Sequence, residues 1–351
     1  AMIVDSTALP EHAVRDIING AFRSAGQRCS ALRCLYVQED IAENLLTMLK
    51  GAMDELHVGD PWHLATDVGP VIDQVARQGI ADHIAQASTE GRIIHQLAAP
   101  TDGHFIAPTA IRVNGISDMT KEIFGPVLHV ATFKASELDA VVESINATGY
   151  GLTFGLHTRI DDRVQTIVEK VQAGNIYVNR DQIGAVVGSQ PFGGEGLSGT
   201  GPKAGGPHYL PRFTAQPASK ADGFWAGAAE IKSLKKRIAE AELPPMATPR
   251  DLPGPTGESN RHSTHPRGPI LCMGPGAKAA QDQMAVVKSL GGIAVSTEGD
   301  LAPAQLAEIT SLGAVVWWGD ADTGRAIEKA LSQREGPITA LVTGIPDAAH
   351  V

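Results

Sequence analysis

Apolar and polar positions along the first two thirds of the chain switch repeatedly between a helical and a strand period. Ala1-Met2-Ile3-Val4 reads as a buried strand. Pro10 and Glu11 suit a first helical turn, with Ser6 and Thr7 as candidate caps. Val14, Ile17, Ile18, Ala21, Phe22 and Ala25 then share one face up to Gly26. A strand is predicted at Leu35-Tyr36-Val37, a helix near 40–55, a helix near 73–87, a strand at Ile93-Ile94 and another at Ile111-Arg112-Val113. Strands at Val127 to Phe133, at Thr153 to Leu156 and at Ile176 to Val178 alternate with helices near 136–147 and 161–172. Such alternation predicts an α/β fold with a largely parallel sheet covered by helices.

The pattern then changes. Residues 188–207 are dense in glycine without a repeat, which lets a backbone approach a ligand or another strand closely. A helix is expected near 225–243, with Ile231, Leu234 and Ile238 on one face. Pro244, Pro245, Pro249, Pro253, Pro255, Pro266 and Pro269 mark residues 244–269 as a linker. Beyond it, strands near 269–273, 293–295, 314–317 and 339–342 alternate with helices near 277–289, 303–311 and 323–332. That is a small Rossmann-like unit. The expected domains are 1–218, a helix and Pro-rich linker at 219–268, and the Rossmann-like unit at 269–351.

With 351 residues and 43% hydrophobic side chains, a substantial core can form. The net charge of -10 argues against nucleic acid or an anionic membrane as a partner. No apolar run reaches the ~20 residues of a membrane span. Three cysteines, Cys29, Cys34 and Cys272, cannot build a disulfide framework, which suits a reducing compartment. No Cys or His pair has zinc-site spacing, so no metal is expected.

Cys29 falls where a helix gives way to a strand, in Gly26-Gln27-Arg28-Cys29-Ser30, and Arg28 beside it would favour a thiolate. Cys34 and Cys272 read as small core residues. Gly26-Gln27-Arg28-Cys29 resembles the nucleophile motif of the aldehyde dehydrogenase superfamily. Lys121-Glu122-Ile123-Phe124-Gly125-Pro126-Val127, Asn175-Ile176-Tyr177-Val178-Asn179 and Pro191-Phe192-Gly193-Gly194 resemble three further signatures, in the family's order. Residues 24–33, Ile183-Gly184-Ala185-Val186-Val187-Gly188 and 198–207 narrow the likeness. They resemble the L-glutamate γ-semialdehyde dehydrogenase module of the bifunctional proline utilization A proteins. In those bacterial proteins an FAD-dependent proline dehydrogenase precedes the aldehyde dehydrogenase. The linker and the small unit resemble the extra C-terminal domain of the longer members.

The resemblance implies NAD-dependent oxidation of L-glutamate γ-semialdehyde to L-glutamate through a cysteine thiohemiacetal and thioester. It makes Cys29 the nucleophile, whose own backbone N–H forms part of the oxyanion hole. Glu122 would hold the nicotinamide ribose, with Phe124 beside it. The Ser30 hydroxyl and the amides of Gly184 and Ala185 would anchor the substrate's α-carboxylate, and Phe192 would pack on its aliphatic middle. Only 28 residues precede Cys29, whereas the family's dinucleotide-binding half, oxyanion asparagine and general-base glutamate lie upstream of the nucleophile. The expectation is therefore an aldehyde dehydrogenase catalytic domain incomplete on its N-terminal side and inactive alone. Its partners would be the upstream NAD-binding and proline dehydrogenase regions. The complete protein would be a cytoplasmic homo-oligomer, with any inner-membrane association made through the proline dehydrogenase part.

Gly274-Pro275-Gly276-Ala277-Lys278-Ala279 fits G-x-G-x-x-A after a strand, and Glu298 lies where a ribose-binding acid is expected. Pro275 is atypical there, and a cofactor-free structural lid is the favoured reading. Two other functions stay open: a non-catalytic fragment with an interaction role, and an aldehyde dehydrogenase for another carboxylate-bearing semialdehyde. A cysteine hydrolase is disfavoured, because no histidine sits in a partner motif.

Overall fold

The computed structural model describes residues 1–213, 220–244 and 249–344. The expected boundary at 218, Pro245 in the linker and the C-terminal Val351 lie outside the described residues. The chain forms two compact units, one of residues 1–187 and 191–204, the other of residues 188–190 and 205–351.

In the first unit the elements run β1 (Met2–Val4), α1 (Pro10–Phe22), β2 (Cys34–Gln38), α2 (Glu39–Asp54), α3 (Gln74–Thr89), β3 (Ile93–Gln96), β4 (Thr109–Arg112) and β5 (Val127–Phe133). They continue with α4 (Leu138–Ala147), β6 (Tyr150–Gly151), β7 (Thr153–His157), α5 (Asp161–Lys170), β8 (Asn175–Val178) and β9 (Glu195–Gly196). Seven strands form one sheet in the order β3-β4-β5-β2-β1-β7-β8. All its pairings are parallel except β3 with β4. β6 and β9 make a separate short antiparallel ribbon.

The sheet is buried on both faces, as its apolar strands require. On one side α1 lays down Ala13, Val14, Ile17, Ala21 and Phe22, α2 contributes Leu45, Leu49 and Met53, and α3 adds Ile80 and Ile84. On the other, α4 and α5 bury Val141, Val142, Ile145 and Ile167 against Ile3, Phe154 and Leu156. Pro10 opens α1, but the residue before it, Leu9, makes no side-chain cap, so Ser6 and Thr7 do not cap the helix. Thr7 instead donates from its hydroxyl to Asp5 Oδ1, 2.7 Å away.

The second unit contains α6 (Ile231–Ala239), β10 (Arg250–Leu252), β11 (Asn260–His262), β12 (Ile270–Cys272), α7 (Gly276–Ser289), β13 (Ala294–Ser296), β14 (Ala314–Val316), α8 (Ala321–Ser332) and β15 (Ala340–Val342). Its parallel sheet has the order β13-β12-β14-β15, a small Rossmann-like arrangement. Three expectations are corrected here. The helix expected near 225–243 is only nine residues long, because Glu230 caps it by accepting from the N–H groups of Lys232 and Ser233. The Pro-rich stretch carries an antiparallel pair, β10 with β11, rather than only linker. The helix expected near 303–311 is a 3₁₀ turn at Pro303–Glu308.

Candidate active site

Cys29 lies just ahead of β2, on the edge of the sheet formed by the amino ends of its parallel strands. Glu122 to Pro126 lead into β5, Thr153 opens β7 and Asn175 opens β8 on the same edge. Open α/β sheets ordinarily take ligands at the carboxyl ends of their strands. Here that opposite edge is closed by Asp5, bonded to Thr7 and Arg163, and by the buried neighbours Asp16 and His157.

The turn that carries the sulfur is built by backbone that ordinary side chains disfavour. Beyond α1, Ser24, Ala25 and Gly26 all have positive φ, and the chain doubles back. Gly26 is needed twice over. Its φ is 64°, and a Cβ there would stand 2.1 Å from the Gly125 carbonyl oxygen. The nucleophile motif and the second motif therefore meet backbone to backbone. Cys29 is exposed, while Cys34 and Cys272 are buried with their thiols pushed up to about 12 by desolvation.

Arg28 turns away, donating from Nε to Ser24 Oγ at 3.0 Å. The guanidinium that organises this corner is Arg33, which the sequence did not single out. Its Nη1 donates to the carbonyls of Gly26 (2.6 Å) and Gly125 (3.3 Å), and its Nη2 to that of Arg28 (3.3 Å). Its Nε holds Glu122 Oε1 at 3.1 Å, and its carbon lies 4.8 Å from the centre of the Phe124 ring. Burial draws the Arg33 pKa below the usual arginine value, with Glu122 and then Cys29 opposing. Glu122 and Phe124 themselves stay exposed, open to a ligand. Beneath them His129 Nδ1 faces the Arg33 carbonyl at 3.1 Å, and its Nε2 lies 2.9 Å from that of His83.

The third and fourth motifs also meet. Asn175 Nδ2 donates to the Pro191 carbonyl (2.9 Å), and Asn175 Oδ1 accepts from the Gly193 N–H (3.1 Å). A Cβ on Gly174 would lie 1.8 Å from the Gly193 carbonyl oxygen. Lys203 Nζ donates to the carbonyls of Gly174 and Gly193, the latter at 2.7 Å, and burial lowers its pKa. Phe192 pairs with Ala204 through two backbone hydrogen bonds, which leaves its half-buried ring on a braced loop.

The expected residues Ser30, Gly184 and Ala185 remain. Ser30 is buried beside Cys29. Gly184 is exposed with φ of 73° and open space where a side chain would project. The amides of Cys29, Gly184 and Ala185 have no hydrogen-bond partner among the described residues. Unpaired main-chain donors of this kind suit an oxyanion or a carboxylate. Among the described residues, no group of three or more His, Cys, Asp or Glu is placed to hold a metal ion.

The C-terminal G-x-G-x-x-A turn does not fit a dinucleotide. Gln283 takes both backbone groups of Gly274, accepting from its N–H at 3.0 Å and donating to its carbonyl at 2.7 Å. A Cβ on Gly276 would stand 2.8 Å from the Phe224 carbonyl oxygen, so the chain's own segment lies over the start of α7. Trp225 Nε1 clips that segment down by donating to the Met273 carbonyl at 2.9 Å. Glu298 pairs with Arg237 at 3.0 Å, its side chain still exposed.

Residues 1–218 match the Aldehyde dehydrogenase family, and the chain belongs to it. It is similar to the bifunctional protein PutA of Klebsiella aerogenes, 40% identical over 396 aligned positions covering 97% of this chain and 30% of that protein. Among solved structures it resembles a bifunctional proline utilization A (PutA) protein at 56% identity and a TM-score of 0.59, over 60% of this chain and 22% of that one. It also resembles 1-pyrroline-5-carboxylate dehydrogenase from Thermus with bound NAD at 34% identity and a TM-score of 0.56, over 60% of this chain and 41% of that one. The chain thus spans under a third of the length of the PutA relatives it matches. No helix among the described residues is long and apolar enough to cross a membrane.

Proposed function

We propose that this chain carries the nucleophile and the substrate-carboxylate anchor of an NAD-dependent L-glutamate γ-semialdehyde dehydrogenase. The observation that carries the reading is the exposed Cys29 thiol on a turn joined, through Ser30, to a loop whose Gly184 and Ala185 amides are unpaired. The Cys29 sulfur adds to the aldehyde carbon, and the carbonyl oxygen, now an alkoxide, takes the Cys29 N–H. NAD, when bound, supplies the acceptor for the hydride that leaves that carbon. Glu122 and Phe124 face the ribose side, and Glu122 exchanges its Arg33 partner for hydroxyl donors. Water then cleaves the thioester, releasing the new carboxylate and restoring the thiol. Ser30, Gly184 and Ala185 hold the α-carboxylate, and Phe192 covers the methylenes between. On this reading Glu122 and Phe124 are the cofactor contacts assigned to the described residues, and the chain alone is expected not to turn over. The domain division at 218 and 268 belongs to the same reading.

An affinity label tests this on the chain as it stands. The chloroketone L-2-amino-4-oxo-5-chloropentanoate places its alkylating carbon at the position of the aldehyde carbon. It should label Cys29 with saturable kinetics and be slowed by L-glutamate. Linear kinetics indifferent to glutamate would remove the anchor and with it the substrate class.

A further inference from the structure

We propose that Gln182 is the ruler of this site: its side chain sets the separation between the sulfur-bearing turn and the carboxylate anchor, and so selects the length of the aldehyde. The proposal rests on the substrate reading above and deepens it.

Gln182 is 1% exposed, and its amide nitrogen spends both protons on the site. One goes to the carbonyl of Ser30, the residue after Cys29, at 3.1 Å, and the other to Thr153 Oγ1 at 3.2 Å. Thr153 Oγ1 in turn lies 3.4 Å from the same Ser30 carbonyl, so three groups close a small triangle. The amide is seated in a slot. A Cβ on Gly155, in the middle of β7, would stand 3.0 Å from Gln182 Oε1 and 2.8 Å from the end of the Met2 side chain. Glycine at 155 therefore makes the room that the amide fills. Its oxygen is buried and accepts no hydrogen bond among the described residues, so the donor half of the amide alone fixes its place.

Gly184 and Ala185 stand two and three residues further on. The anchor amides are thus suspended from the same side chain that grips the nucleophile's turn. Shortening residue 182 by one methylene draws the anchor toward Cys29. Removing its donors leaves the Ser30 carbonyl held by Thr153 alone and frees the anchor to drift. Discrimination between homologous ligands differing by one methylene is ordinarily worth about tenfold or more, which makes the shift measurable.

The test is protection of Cys29 from iodoacetamide by three homologues, L-aspartate, L-glutamate and L-2-aminoadipate, on the 351-residue chain. The unprotected rate serves as the control for a folded turn. Glutamate should protect the unaltered chain best. In Gln182→Asn the preference should move by about tenfold toward aspartate, each protection constant being taken relative to that variant's own unprotected rate. In Gln182→Leu the three protection constants should converge. Thr153→Val, which leaves the Gln182 to Ser30 bond in place, should keep glutamate first and serves as the second variant if a Gln182 substitution exposes the buried thiols. An unchanged ranking in folded Gln182→Asn and Gln182→Leu overturns the ruler while leaving the substrate reading standing. Failure of glutamate to protect even the unaltered chain overturns both.

Discussion

At the residue scale, burial separates three thiols of identical chemistry. Cys34 and Cys272 are both fully buried with thiols held near 12, whereas Cys29 is exposed. Native protein should therefore take up one equivalent of iodoacetamide at neutral pH, on Cys29, and three after unfolding in urea. Rapid native labelling of two or three sites would contradict the burial described. His129 gives a second consequence. Desolvation draws its pKa from 6.5 down to about 4, opposed by the hydrogen bond to the Arg33 carbonyl and aided by the ring of His83 and the cations Arg92 and Arg33. The folded state thus binds fewer protons than the unfolded one below pH 6.5. Stability present above that pH is lost as the pH falls toward 4, by on the order of 3 kcal/mol. Urea midpoints measured across that window should fall for the chain, and His129→Gln should flatten the fall.

At the element scale, what the sequence showed and what it hid have distinct physical causes. The first-unit strands are short apolar runs between amphipathic helices, and β5, β7 and β8 lie where their β-branched and aromatic residues indicated. The nine-residue α6 was overestimated because Phe224, Trp225 and Leu243 look like a continuing apolar face. Trp225 in fact anchors an extended segment through its indole N–H. The β10–β11 pair was invisible, since Arg250-Asp251-Leu252 and Asn260-Arg261-His262 have almost no apolar alternation. In the candidate site, the proposed roles of Cys29, Glu122 and Phe192 were assigned from motifs. Arg33 and Gln182 were not, because a buried guanidinium or amide is recognised by the carbonyls it meets, and those come from distant parts of the chain. The Gly26 contact yields a prediction at this scale. Gly26→Ala adds a methyl against the Gly125 carbonyl in a left-handed conformation, which should cost roughly 2–4 kcal/mol from backbone and overlap together. Urea unfolding should show that loss, and Cys29 should lose its saturable labelling by the chloroketone.

At the scale of the whole molecule, each unit bears on a different part of the cofactor question. On the proposed reading, the first offers the exposed Glu122 and Phe124 to a nicotinamide ribose. The second has the strand, turn and helix of a dinucleotide fold but fills the turn with Gln283 and the Phe224 backbone. The 351-residue chain mixed with NAD and glutamate semialdehyde should therefore produce no steady rise in NADH absorbance. Titration with NAD should give no saturable signal from Trp225 or Trp318 fluorescence. A saturable response lost in Glu298→Ala would reinstate the second unit as a nucleotide binder.

The back-to-back glycines at 26 and 125 bear on how far such a catalyst can be reshaped. With main chain already touching main chain, that contact has nothing left to trim. Laboratory evolution toward bulkier aldehydes would gain no space at that contact.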